Sequence, residues 1–97
     1  MSKQISVSPE ELRTRGGKFI SGGQQIDSVL KSLNKEAAAL QSIWKGEAQA
    51  KFNAKYQELS PKMKEFAELV GSIGKQLKSV ADAMEKSDQD IARQISK

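Results

Sequence analysis

Apolar residues recur at alternating steps of four and three along most of the chain, and that recurrence breaks once, near the middle. Before the break, Leu12, Phe19, Ile26, Leu33 and Leu40 form one row, and Gly16, Gly23, Leu30, Ala37 and Trp44 form a second. After it, one row holds Phe52, Leu59, Phe66, Ile73 and Val80, and the other holds Tyr56, Met63, Val70, Leu77, Met84 and Ile91. Steps of four and three return to one face of an α-helix, so the pattern predicts two long amphipathic helices. The interruption is Ile43-Trp44-Lys45-Gly46-Glu47-Ala48, where Gly46 can adopt the left-handed backbone that ends a helix and reverses the chain. Two long helices joined by so short a link must lie antiparallel. The expected fold is therefore all-α: one domain, with helix 1 over about 8–43, a turn at 44–47 and helix 2 over about 48–90. At a rise of ~1.5 Å per residue this makes a rod roughly 50 Å long.

Local signals agree with these boundaries. Ser8-Pro9-Glu10-Glu11 reads as a helix start, with Ser8 as cap, Pro9 at the first helical position and Glu11 completing a capping box. Pro61 falls inside helix 2, where proline normally costs ~3 kcal/mol. The register passes through it unshifted from Leu59 to Met63, which predicts a single bent helix with Pro61 on its outer face. Gly16, Gly17, Gly22 and Gly23 each cost a helix up to ~1 kcal/mol relative to Ala and leave two readings: a weak, frayed start, or close approach of backbones. In the second reading the turn at Gly46 pairs residues whose numbers sum to about 92. Gly16 and Gly23 then face the bulky segment from Phe66 to Leu77, small against large. The same pairing lets Ser8 reach only about Met84, so roughly the last dozen residues have no helix of their own chain beside them. This tail, 84–97, is still patterned, with Met84, Asp88, Ile91 and Ile95 on one helical face.

Composition removes most chemistry. The 97 residues contain no Cys and no His, hence no disulfide, thiolate ligand, cysteine nucleophile or imidazole base. No phosphate loop, metal-ligand cluster or nucleophile with a base is present, and the reading is of a protein that is not an enzyme and needs no cofactor, metal or small-molecule substrate. A net charge of +4 raises the alternative of a basic helical nucleic-acid or membrane-surface binding protein. However, residues 1–43 and 44–97 each carry +2, and acids alternate with bases at helical spacing, as in Glu11/Arg15, Glu47/Lys51, Glu58/Lys62 and Asp82/Lys86. That reads as a solvated face and lacks the one-sided cationic surface such a binder needs. All five aromatics (Phe19, Trp44, Phe52, Tyr56 and Phe66) sit in the apolar rows, which assigns them to burial between the helices and away from base stacking. No run approaches the ~20 apolar residues of a membrane span, and Met1 to Ser6 lacks the apolar core of a cleaved signal peptide.

A chain of this size rarely buries a deep core alone, so a partner is expected. A second apolar flank, including Ile20, Val29, Ile43 and Val70, favours pairing of two hairpins into a four-helix bundle. A twofold, antiparallel homodimer is the simplest closed choice, and it lays the tail of one chain beside the Trp44-Gly46 turn of the other. On spacing alone, Trp44 and Gly46 read as hairpin structure ahead of a recognition role, the indole covering the open end of the seam while Gly46 turns the chain.

Nearly one hundred residues, two helices, a central Trp44-Lys45-Gly46, the Ser-Pro-Glu-Glu start and the patterned tail together resemble the WXG-100 (ESAT-6-like) family over essentially the whole chain. The resemblance implies a substrate of a Gram-positive type VII (ESX/Ess-like) secretion system. Such a substrate is secreted without a cleaved signal peptide, is cytoplasmic before export, meets the membrane only during export, and acts by protein-protein contact, including in virulence. It also implies a secretion ATPase as partner. Many members carry a Tyr-x-x-x-Asp/Glu export signal after helix two. Here Met84-Glu85-Lys86-Ser87-Asp88 stands in that position, keeps the acid without the Tyr, and continues to Ile91 and Ile95, similar to an apolar-acid-apolar variant. The resemblance thus implies Met84, Asp88, Ile91 and Ile95 as the export and partner-binding residues, with Trp44 and Gly46 as the turn motif.

Overall fold

Ser8 opens the first helix: its Oγ accepts a hydrogen bond from the Glu11 N–H at 3.0 Å, Pro9 follows, and Glu10 and Glu11 complement the positive end of the helix dipole. In this computed structural model, which describes residues 7–95 with Ala92 and Ile95 given in backbone alone, α1 runs from Pro9 to Ile43 and α2 from Glu47 to Ile95. The described residues form no strand. The two helices pack along each other as an antiparallel hairpin, and α2 is continuous through Pro61, which is exposed.

The seam between the helices differs from the expected one. On α1 it is the row Gly16, Gly23, Leu30 and Ala37, as the spacing indicated. On α2 it is Ala67, Gly74 and Ala81, one position removed from the large row Phe66, Ile73 and Val80. Small therefore faces small. A Cβ on Gly16 would stand 2.7 Å from the Gly74 carbonyl oxygen, and one on Gly23 would stand 2.8 Å from that of Ala67. These contacts pair residues whose numbers sum to about 90, two fewer than expected. The physical reason is separation: bare backbones let the two axes approach closely, and a Phe or Leu row inside the seam would hold them apart.

Most of the large residues consequently lie at the edges of the seam or outside it. Leu30 is the one large side chain of the buried apolar set, whereas Phe19 and Phe66 remain 41% and 57% exposed. This corrects the assignment of all five aromatics to burial between the helices. The rod is also longer than expected, 77 Å in its greatest extent, because α2 continues to Ile95 and 49 residues at ~1.5 Å each reach about 74 Å.

Candidate protein interface

The hairpin has two unlike flanks. One is polar. Asp27 meets Lys64 at 3.7 Å across the helices, Asn34 Oδ1 accepts from Tyr56 Oη at 2.5 Å and from Ser60 Oγ at 3.3 Å, and Arg13 reaches Asp82 and Glu85 at 2.7 and 2.5 Å. The Arg13 pKa is raised, first by its hydrogen bond to Asp82 and then by that to Glu85. Asp82 is thus drawn across the helices, while the expected pair of Glu11 with Arg15 forms within α1 at 3.5 Å.

The other flank is apolar. Phe19, Ile26 and Leu33 stand three residues past the seam glycines or Leu30 on α1, and Leu59, Phe66, Ile73 and Val80 stand one residue before the seam row on α2. In an antiparallel pair both offsets rotate toward the same side, so these rows form one continuous face. Most of these large side chains are open to solvent, and Met63, Val70 and Leu77 are half-buried beside them. An exposed apolar face of this length marks an interaction surface.

At one end of the rod lies the turn. Trp44 is the C-cap of α1, its N–H donating to the Leu40 carbonyl at 2.8 Å, and its backbone is extended. Gly46 has φ of 114°, a conformation that favours glycine, and its carbonyl accepts from the Ala50 N–H at 3.2 Å to start α2. The indole leans on Phe52 with ring centroids 5.8 Å apart, and Phe52 stacks on Tyr56 at 6.1 Å. Trp44 is 37% exposed, and its indole rests against the first turns of α2 at the head of an aromatic ladder with Phe52 and Tyr56.

At the opposite end Arg13 ties α1 to Asp82 and Glu85, and α2 then runs past the start of α1. Met84 is half-buried there, whereas Asp88 and Ile91 are exposed. The side chain of Ile95, and Ser96 and Lys97 of the expected tail, lie outside the described residues. A single chain therefore keeps Trp44 and Gly46 apart from Met84, Asp88 and Ile91, at opposite ends of the rod. The apolar face was missed from sequence because its rows were assigned to the seam. The signal that would have found it is the small row Ala67, Gly74 and Ala81, spaced by seven like Gly16 and Gly23.

Known proteins resemble this chain in sequence and in fold. An ESAT-6-like protein of Streptococcus agalactiae is 46% identical over 93 residues, covering 96% of this chain and 97% of the relative. The type VII secretion system extracellular protein A of Staphylococcus aureus is 36% identical over 88 residues, 91% of each chain. Among solved structures, EsxA of Geobacillus thermodenitrificans superposes with a TM-score of 0.83 at 33% identity, covering 95% of this chain and 99% of that one. The secreted protein EsxB of Bacillus anthracis gives 0.77 at 26% identity, covering 90% and 99%. The model of the family described as proteins of 100 residues with WXG matches residues 4–89, which takes in α1, the Trp44-Lys45-Gly46 turn and α2 as far as residue 89, and the chain belongs to the WXG100 family.

Proposed function

We propose that this chain is a secreted substrate of a type VII (ESX/Ess-like) secretion system, exported as a folded antiparallel homodimer and acting by protein-protein contact, with a part in virulence. It is cytoplasmic before export, leaves without a cleaved signal peptide, and catalyses no reaction. The observation that carries this reading is the apolar face of Phe19, Leu33, Leu59, Phe66, Ile73 and Val80, left open by a hairpin whose own seam is built of small residues. A second copy laid on that face gives a four-helix bundle. The likeness to the type VII secretion system extracellular protein A of S. aureus supports export by the type VII route.

In the antiparallel bundle the tail of one copy comes beside the turn of the other. Trp44 and Gly46 of one chain with Met84, Asp88, Ile91 and Ile95 of its partner make one composite surface at each end, which docks on the secretion ATPase. The test compares culture supernatants of wild type, a strain lacking that ATPase, Trp44→Ala and Asp88→Ala. Export is expected from wild type alone, and equal export in all four would remove the proposal. Light scattering is expected to report a dimer at micromolar concentration, and a stable, fully helical monomer would remove the pairing.

A further inference from the structure

Two glycines of α1 have no role in their own hairpin. A Cβ on Gly17 or on Gly22 would meet nothing within 4 Å, although glycine at each weakens the helix relative to Ala. The seam accounts for Gly16 and Gly23 but not for these two. They point in different directions. Gly17 is four residues from Arg13 and from Ser21, toward the polar flank. Gly22 lies three residues after Phe19 and four before Ile26, so it forms the floor of a gap between two large side chains of the apolar face.

The extent of that face says what fills the gap. The chain exposes 7543 Å², whereas a compact monomer of its mass exposes about 5,500 Å². That excess belongs to the elongated shape, 77 × 29 × 16 Å, and the open apolar residues run along one side of the rod, a length that a second copy of the same rod matches. In a twofold pair with the turns at opposite ends, α1 must lie antiparallel on α1 and α2 on α2, with the numbers of facing residues summing to a constant. The α1 side of the open face, Phe19 to Leu33, is centred on Ile26, but its α2 side, Leu59 to Val80, is centred beside residues 20–21 of α1, given the intrachain sum of about 90. An axis between these centres, beside Gly22, makes the sum about 45 on α1 and about 135 on α2. Phe19 then faces Ile26, Leu12 faces Leu33, and Met63 faces Ile73. An axis through Ile26 would instead set Met63 against Glu65 and Phe66 against Lys62.

We infer that the twofold axis of the homodimer passes beside Gly22, whose bare backbone is the gap in which the α1 helices of the two copies cross. This rests on the homodimer proposed above and fixes its register. Gly46 of one copy comes level with Gln89 of the other, and Lys45 with Asp90, so the turn and tail of the export surface meet.

The absence of native cysteine allows a direct test on the full chain. Phe19→Cys and Ile26→Cys, refolded together and oxidised, are expected to cross-link between copies, and neither should cross-link alone. Each is displaced from its own copy by seven residues, about 10 Å, beyond the ~7 Å limit between Cα atoms of a disulfide. Gly22→Ala, a better helix former, is expected to raise the dimer dissociation constant about tenfold or more, while Gly17→Ala leaves it unchanged. Cross-linking of Ile26→Cys by itself, or dimerisation of Gly22→Ala as tight as wild type, would overturn the inference and leave the dimer standing. A monomeric wild type would remove the dimer, and this register with it.

Discussion

Gly74→Ala is the substitution on which helix propensity and packing disagree most sharply. Propensity alone favours Ala by up to about 1 kcal/mol in a helix interior. The new Cβ would, however, collide with the Gly16 carbonyl oxygen and stand 2.9 Å from the Ile20 amide nitrogen and 2.8 Å from its Cγ1. Two of these three atoms are backbone, so no side-chain rotation relieves them. Restoring ordinary contact means moving the helices apart by roughly 0.5–1 Å, an opening that forfeits a quarter to a half of the dispersion attraction between facing atoms. Overpacking of this kind costs about 1–3 kcal/mol, which outweighs the propensity gain at most of its range. The expected net loss of about 1–2 kcal/mol lowers the Tm of a domain this size by roughly 4–15 °C. The assay is thermal unfolding by far-UV circular dichroism at one fixed protein concentration, because an associating protein has a concentration-dependent Tm. Gly17→Ala is the comparator: its Cβ meets nothing, and its Tm should rise by a few degrees. If Gly74→Ala also melts above wild type, the close small-residue seam is wrong.

Three further outcomes follow from the same geometry. Gly46→Ala places a Cβ at φ of 114° and should cost about 1–3 kcal/mol, read as a lower Tm with unchanged helix content. Arg13→Ala should speed amide hydrogen exchange from residue 78 to the end of α2 while leaving 47–60 unchanged, since Arg13 ties Asp82 and Glu85 to α1. Because the folded pKa of Arg13 is raised, its contribution is complete below the unfolded value and fades only as pH rises through the folded one. A melting series between about pH 6 and 10 should therefore show no loss that Arg13→Ala abolishes, whereas added salt should weaken the contact. Phe66→Asp removes an apolar side chain worth about 1.5–3 kcal/mol from each of two copies, so sedimentation should report a dissociation constant raised about 100-fold or more.

Local features of this fold were legible because their causes are local. The Ser8 cap uses a side chain three residues from its donor, and Gly46 reverses the chain at its own φ, so neither depends on what packs elsewhere. The faces were not legible in the same way. The row of Phe66, Ile73 and Val80 and the seam row of Ala67, Gly74 and Ala81 are adjacent on one helix. Apolar periodicity reports that both are shielded from water, but not whether the shield is the same chain or another. Residue size carries that information: glycine and alanine spaced by seven on both helices fit a close seam, and the larger rows are then left for a wider partner contact. The long tail has the same origin in the proposed homodimer, where the other copy lies beside α2 beyond the start of α1.

A hairpin with so few large buried side chains is half of a fold, and this gives the composite export surface a genetic signature. Trp44 and Asp88 of one chain lie at opposite ends, so in the proposed antiparallel bundle each end draws its turn from one copy and its tail from the other. In a mixed dimer of Trp44→Ala with Asp88→Ala, one end combines both lesions and the other end has neither. Each variant alone should fail to be secreted, because both ends of each homodimer carry one lesion. Co-expressed, the two should restore secretion of roughly half the pool, the share expected of random pairing between equally abundant copies that associate by the same twofold contact. Residues acting within one chain would give no such rescue, since every chain would still be defective. Adding Phe66→Asp to both variants should abolish the rescue by blocking the pairing, with Trp44 and Asp88 themselves unaltered by that change. Rescue that survived it would place turn and tail recognition on separate chains and refute the composite surface.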